Sequence, residues 1–140
     1  MRNDPPVYLG SQADAIKNGE VEQWKSSYWA NVACRDTIEA EIAQSFDGWS
    51  LDTGCVGRVV EEFGQERVQF VLATTLRELD HDGRFSQANK EWASGIETSA
   101  DNDRAYNFKV TSHPAILDGF ISAFRKEYPE PQQTMERQVM

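Results

Sequence analysis

The amino-acid sequence predicts a mainly α-helical protein, a compact bundle of about five or six helices. Three observations lead to this prediction. The stretch from Glu20 to Phe46 contains neither Gly nor Pro. Apolar side chains recur at helical spacing in this stretch and in several later segments. Glycines and cap-forming side chains separate these segments at the positions where helices would begin and end.

The first two predicted helices are separated by a glycine turn. Ser11 is a suitable N-cap for a short helix that ends at Asn18-Gly19, because glycine readily adopts the left-handed conformation that closes a helix. The second helix extends from Glu20 to Phe46 and is long and amphipathic. Its apolar face comprises Val21, Trp24, Tyr28, Val32, Ile38, Ile42 and Phe46. Asp47-Gly48 is expected to end it.

Three further helices are predicted between start and stop signals. Asp52 or Thr53 begins a helix that ends at Gly64. The next helix covers about residues 66–79 and has its apolar side chains on one side. Ser86 is the expected N-cap of a fifth helix.

The remaining C-terminal segment predicts one more helix and a short strand. Ser112 is the expected N-cap of the last helix, and Pro114 lies in its first turn, where proline is tolerated. Residues 106–110 alternate between apolar and polar, and residues 7–9 are their one obvious pairing partner. One short two-stranded β-ribbon is therefore an allowed addition to the bundle.

The predicted organisation is a single domain between two short ends. A chain of 140 residues fits one domain. Residues 1–10 form an N-terminal arm, residues 11–128 the helical domain, and residues 129–140, which are rich in Pro and Gln, a flexible tail.

Composition and charge exclude several classes of function. The formal net charge is −9, which disfavours contact with a phosphate backbone, so we expect no direct nucleic-acid binding. No segment approaches about 18 consecutive apolar residues, and the N-terminus lacks the apolar core of a signal peptide. The sequence predicts a cytoplasmic protein without membrane attachment. Its two cysteines, Cys34 and Cys55, are expected to be reduced and partly buried.

Two polar residues interrupt the apolar stripe of the long helix. Asn31 and Arg35 project into its middle, and burial of an unpaired guanidinium is very costly. Glu39 lies one turn further along the same face and is the local candidate partner for Arg35. The pattern fits an internal polar network, and it also fits a polar pocket or a partner-binding site.

Acidic residues are concentrated between positions 20 and 64. This segment contains nine acidic and three basic residues, a net charge of −6. Such a surface can be ordinary solvated surface, or it can compete for a nucleic-acid channel in another protein. The predicted partner-binding residues are Glu20, Glu22, Asn31, Arg35, Asp36, Glu39, Glu41, Asp47, Asp52, Glu61 and Glu62. An exposed Trp29 or Trp49 fits an interface, and it also fits ordinary surface, since single exposed aromatic side chains are common.

No catalytic or metal-binding pattern is present. Asp80-His81-Asp82-Gly83 has the composition of a calcium loop but not its spacing, because Asn89 occupies the position of the final glutamate. Two histidines and two cysteines far apart in sequence match no zinc spacing. A cysteine–histidine pair or a site at Asn31, Arg35 and Glu39 is the remaining enzymatic alternative. The prediction is a non-enzymatic protein with no metal and no cofactor.

Several separated motifs resemble those of one bacterial domain family of unknown function. They are Ala30-Asn31-Val32-Ala33-Cys34-Arg35, Phe46-Asp47-Gly48 with Leu51-Asp52, Glu61-Glu62-Phe63-Gly64 with Glu66-Arg67-Val68, Phe70-Val71-Leu72-Ala73, Asp82-Gly83-Arg84-Phe85-Ser86 with Asn89-Lys90, and Ser112-His113-Pro114. The resemblance spans about residues 7–128. The family is carried on plasmids and integrative conjugative elements of Gram-positive gut bacteria.

The resemblance implies accessory work for a mobile element. Small, acidic, stand-alone proteins on such elements are often inhibitors of host nucleases, including anti-CRISPR proteins. The leading hypothesis is therefore an inhibitor that binds a CRISPR effector or another host defence nuclease and blocks nucleic-acid access or activation. The alternative is an accessory or regulatory protein-binding module for plasmid transfer or maintenance.

Overall fold

The computed structural model describes residues 2–98 and 108–129. These two ranges contain six α-helices and no β-strand, which confirms the mainly α-helical prediction. In chain order the helices are α1 Gln12–Asn18, α2 Val21–Ser45, α3 Gly54–Phe63, α4 Gln65–Glu78, α5 Gln87–Ser94 and α6 Pro114–Glu127.

Local signals explain why α1 and α2 begin and end where they do. Ser11 Oγ accepts a hydrogen bond from the Asp14 N–H, and the Asp14 carboxylate accepts one from the Ser11 N–H, so both orphan donors are satisfied. Gly19 ends α1 with a φ of 70°, a conformation that favours glycine. The second helix has 25 residues and is therefore about 37 Å long.

α4 is the central helix of the bundle. Ten consecutive residues, from Arg67 to Leu76, are buried, and the helix packs against α2, α3 and α5. Gly64 alone separates it from α3 and has a φ of 91°, which lets the chain change direction within one residue. The prediction of an apolar face on one side therefore understates how much of α4 is buried, because neighbouring helices surround it.

The start of α6 differs from the prediction. The N-cap is His113, whose Nδ1 accepts a hydrogen bond from the Ala115 N–H at 3.1 Å, and Ser112 lies one residue earlier. The predicted Ser86 cap of α5 is confirmed, since its Oγ accepts from the Asn89 N–H at 3.3 Å.

The predicted β-ribbon is absent from the described residues. Residues 7–9 and 108–110 form no ladder, while Tyr106 and Asn107 lie outside the described ranges. The N-terminal arm instead contacts helices: the Arg2 N–H donates to the Glu62 carbonyl of α3, and the Tyr8 N–H donates to Ser27 Oγ of α2. The Val110 N–H donates to Thr75 Oγ1 in the core. The proposed flexible tail also falls outside the described residues, except for Pro129.

The Thr75 hydroxyl gives a sharp test of this packing. It accepts from the Val110 N–H at 3.0 Å and donates to the Val71 carbonyl at 2.8 Å. Thr75→Val keeps the shape but leaves a buried N–H unsatisfied, so we expect it to lower the free energy of unfolding by about 1–3 kcal/mol. Urea denaturation followed by circular dichroism measures this loss.

Thr74 is the matched control for that substitution. It is also buried, and its hydroxyl has no hydrogen-bond partner within the described part of the chain. Thr74→Val is therefore expected to be neutral or stabilising. Equal losses for the two substitutions would contradict the assigned role of the Thr75 hydroxyl.

Candidate functional site

Asn31 belongs to a buried polar network in which its partner is Arg67. Arg67 Nε donates to Asn31 Oδ1 at 2.9 Å, Nη1 to the Pro5 carbonyl at 2.9 Å, and Nη2 to Ser27 Oγ at 3.0 Å. Arg67 and Asn31 are each 4% exposed. The network joins the N-terminal arm, α2 and α4, and the side chains of Asn31 and Arg67 are buried, so its role is structural.

The guanidinium of Arg67 is held mostly by neutral oxygens. Among the ion pairs of residues 2–98 and 108–129, none involves Arg67. Desolvation by burial lowers the pKa of Arg67 from its usual value, while the Asp4 carboxylate acts in the opposite direction. Arg67 is not among the binding residues predicted from the sequence. Its signal was a charged side chain at the start of an apolar run, next to Val68.

Arg35 and Glu39 lie apart from the Arg67 network. Arg35 Nε donates to Asp36 Oδ1 at 2.6 Å, and Nη1 donates to the Lys109 carbonyl at 3.4 Å. Glu39 Oε2 accepts hydrogen bonds from the Thr111 N–H and hydroxyl, at 2.7 and 2.8 Å. Both side chains hold the segment before α6 against α2, so the predicted Arg35–Glu39 pairing is replaced by two separate contacts.

Most of the acids predicted to form a binding surface have partners within the protein. Besides Asp36 and Glu39, these are Glu20, bonded to the Tyr8 hydroxyl, Glu41, bonded to Arg58, and the loop residues Asp47 and Asp52. Glu22, Glu61 and Glu62 have no side-chain hydrogen bond or ion pair to a described residue.

The acids of α2 do not share one face. Glu39 and Glu41 are two residues apart and so point about 200° apart around the helix. Glu22 is exposed in the first turn, at the opposite end of α2 from Glu41. A continuous acidic surface on α2 is therefore not formed. Glu22 lines an open cleft together with Asp4 and Gln23. Asp47 and Asp52 lie next to a second surface feature.

That feature begins with the loop between α2 and α3, residues 46–51. Phe46 and Leu51 form an isolated antiparallel bridge that closes the loop. Asp47 Oδ1 accepts from the Trp49 N–H at 2.8 Å and from the Ser50 N–H at 2.9 Å. Gly48 has a φ of 99°, which side chains disfavour. The loop is therefore internally bonded, and it presents Trp49 with 92% of its surface exposed.

An open apolar cleft of about 530 Å³ lies between this loop and the start of α6. Its lining comes from both sides: Phe46, Trp49, Ser50, Leu51, His113, Ala115, Ile116 and Gly119. Two motifs far apart in sequence, Phe46-Asp47-Gly48 and Ser112-His113-Pro114, meet here. We define these lining residues as the Trp49 cleft.

The polar groups of the Trp49 cleft have defined states. Hydrogen bonds from the Ser50 and Trp49 N–H groups lower the pKa of Asp47, so this carboxylate is charged at neutral pH. His113 Nδ1 accepts from the Ala115 N–H, so the neutral ring carries its proton on Nε2. The cleft thus offers an apolar surface, one ring donor and one adjacent anion.

The motif Asp82-Gly83-Arg84-Phe85-Ser86 and the residue Asn89 are structural. Asp82 accepts hydrogen bonds from the Arg84 N–H and guanidinium, which lower its pKa to about 2. Asn89, fully buried, donates to Asp118 Oδ1 at 2.7 Å and accepts from Arg125 at 2.9 Å. Hydrogen bonds between Asp82 and Arg84 therefore stabilise the turn, and Asn89 joins α5 to α6.

Groups that could perform chemistry are separated or buried. Cys34 and Cys55 are buried free thiols, as predicted, and burial raises the pKa of both. His81 and His113 are exposed. Within residues 2–98 and 108–129, no three His, Cys, Asp or Glu side chains are grouped so that they could hold a metal ion. In the same ranges, no helix has the length and apolarity needed to cross a bilayer.

Comparison with known proteins yields one match. The model of a family described as a protein of unknown function, DUF3849, matches residues 7–129. No curated protein and no solved structure matches the chain.

Proposed function

The chain belongs to the DUF3849 family, and for this member we propose a non-enzymatic, protein-binding function. It serves a mobile genetic element by inhibiting a host defence nuclease, such as a CRISPR effector. The protein acts by occupying a surface of the nuclease and so blocking nucleic-acid access or activation.

The exposed Trp49 on its bonded loop is the observation that supports a binding function. Tryptophan is among the residues that contribute most to protein–protein affinity, and hot spots lie next to well-packed pockets. A loop that is already bonded loses little conformational entropy when it binds. Trp49 combines both properties, because it is 92% exposed and its own N–H is fixed by Asp47.

A protein target fits the charge of the molecule better than a nucleic acid does. The net charge of −9 repels phosphates, whereas it favours encounter with the basic channel of a nucleic-acid enzyme. The resemblance to a family of mobile elements supports a defence protein as that enzyme. Transfer or maintenance proteins of the element are the other class of partner.

Affinity capture with two tryptophan variants tests the proposal. Tagged wild type is expected to enrich a defence nuclease from a host lysate, and to inhibit that nuclease after purification. Trp49→Ala should weaken binding at least about 30-fold, the loss of a hot-spot residue. Trp29, 58% exposed on α2, is the matched control, and Trp29→Ala should change affinity less than about 3-fold.

The outcomes separate the classes of partner. Enrichment of conjugation or replication proteins, without a defence protein, would replace the inhibitor proposal by the transfer-accessory function. Equal binding by wild type and Trp49→Ala would remove the Trp49 cleft as the binding site. Turnover of a small substrate by the purified protein would contradict a non-enzymatic function.

A further inference from the structure

The Trp49 cleft has an apolar interior and a negative border. Phe46, Leu51 and Ile116 contribute apolar lining, while Gly119 and Ala115 leave room above the first turns of α6. Asp47 and Asp52 directly flank the lining residues Phe46 and Leu51 in sequence. The Asp47 carboxylate lies beside the cleft, because its Oδ1 is bonded to the N–H groups of the lining residues Trp49 and Ser50, while Asp52 adjoins the lining through Leu51.

Both carboxylates keep an oxygen available. Asp47 uses Oδ1 for the Trp49 and Ser50 N–H groups, and Asp52 uses Oδ1 for the Gly54 N–H at 3.0 Å. Oδ2 of each makes no hydrogen bond to a described residue. Each aspartate can thus hold the loop and accept from a partner at once.

The nearby cation does not neutralise this border. Arg58 is on the adjacent α3, where it forms an ion pair with Glu41 at 2.9 Å and donates to Ser45 Oγ at 3.3 Å. Glu41 and Asp52 both act electrostatically on Arg58, and the charges of Arg58, Glu41, Asp47 and Asp52 sum to −2. His113 Nδ1 is occupied by the Ala115 N–H, which leaves Nε2–H available to donate to a peptide carbonyl.

From this complementarity we propose that the Trp49 cleft binds an extended basic segment of the partner protein. The segment places one apolar side chain against Phe46, Leu51 and Ile116. Lys or Arg residues on either side contact the Oδ2 atoms of Asp47 and Asp52, and Trp49 covers the apolar side chain. The proposal rests on the proposed protein-binding function and specifies the chemistry of its partner.

The first experiment selects peptides without assuming a sequence. A random library of 12-residue peptides is displayed and selected on the immobilised full chain, after depletion on Trp49→Ala. Enriched peptides are expected to carry an apolar residue flanked by Lys or Arg. Enrichment of acidic or uncharged apolar peptides, or no Trp49-dependent enrichment, would overturn the proposal.

The second experiment removes the charge but keeps the loop. Asp47→Asn and Asp52→Asn retain an amide oxygen that accepts the same N–H groups. The double variant should weaken an enriched peptide about 5–30-fold at low salt, with a smaller effect at 0.5 M salt. Fluorescence anisotropy of the labelled peptide measures the affinity.

A charge-matched control identifies effects of total charge. Glu66→Gln with Glu78→Gln also removes two negative charges, and both side chains are exposed. Both residues belong to α4 and neither lines the Trp49 cleft. This control should change affinity less than about 2-fold. Equal effects of the two double variants would show general attraction and overturn the assigned contacts.

Two further results separate this inference from the proposed function. Capture of a nuclease that depends on Trp49 but is insensitive to salt and to Asp47→Asn/Asp52→Asn would leave the proposed function standing and overturn the basic segment. Sedimentation that shows a Trp49-dependent dimer would assign the cleft to a second copy, and would also overturn it.

Discussion

Arg67→Ala is expected to lower the free energy of unfolding by about 3–5 kcal/mol, close to the total stability of many domains. The substitution leaves a cavity and removes the donors for Asn31 Oδ1, Ser27 Oγ and the Pro5 carbonyl at one time. Unfilled buried acceptors and lost packing both penalise the folded state. Urea denaturation of wild type and variant measures the change.

Asn31, which accepts a hydrogen bond from the Arg67 guanidinium, provides the control for the Arg67→Ala prediction. Asn31→Ala should cost about 1.5–3 kcal/mol, because it removes one hydrogen bond to a buried charge. A double-mutant cycle of Asn31→Ala with Arg67→Ala should show coupling above about 0.5 kcal/mol. Strictly additive losses would mean that the two side chains do not act as one network.

Phe120→Ala is the second large effect, with an expected loss of about 3–5 kcal/mol. Phe120 is fully buried on α6, among side chains of the single hydrophobic cluster. Truncation leaves a cavity between helices that pack on several sides and cannot simply close around it. Thermal and urea unfolding of the purified variant measure this loss.

Trp49→Ala is the matched control for Phe120→Ala. It also truncates a large aromatic side chain, but from a position that is 92% exposed. Its effect on the free energy of unfolding should stay within about 0.5 kcal/mol. The same variant can then be used in binding experiments, because any loss of partner binding would not result from unfolding. A large loss of stability would contradict the exposed position of Trp49.

Helix boundaries that depend on adjacent residues could be predicted. The helix ends are satisfied or closed through contacts within a few residues, by Ser11 with Asp14, by Gly19 and by Ser86. The cap of α6 was misplaced by one residue, from Ser112 to His113. Serine is the commoner cap, and the choice of His113 depends on where the segment from Lys109 to Thr111 is anchored by Arg35 and Glu39.

The sequence identified individual residues of the candidate site, but it did not predict how they come together. The sequence singled out Asn31 and Arg35 as an anomaly and gave Glu39 as the candidate partner of Arg35. The contact that satisfies Asn31 comes from Arg67, 36 residues away. Trp49, Asp47 and Asp52 were each named as candidates. Their meeting with His113 and Ile116 around one cleft depends on how α6 packs against the end of α2.

The sequence by itself determined the helical class, the extent of α2 and the glycine turns, because these depend on apolar periodicity, capping side chains and φ angles of neighbouring residues. Only the tertiary structure decided that α4 is buried on all sides, that Arg67 satisfies Asn31, and that most of the acids predicted to bind a partner have hydrogen bonds within the protein. It also decided that the Trp49 side chain is exposed and lies beside a cleft. These features arise from contacts between residues far apart in the chain, whose energies depend on which helices meet, and local pattern does not contain that information.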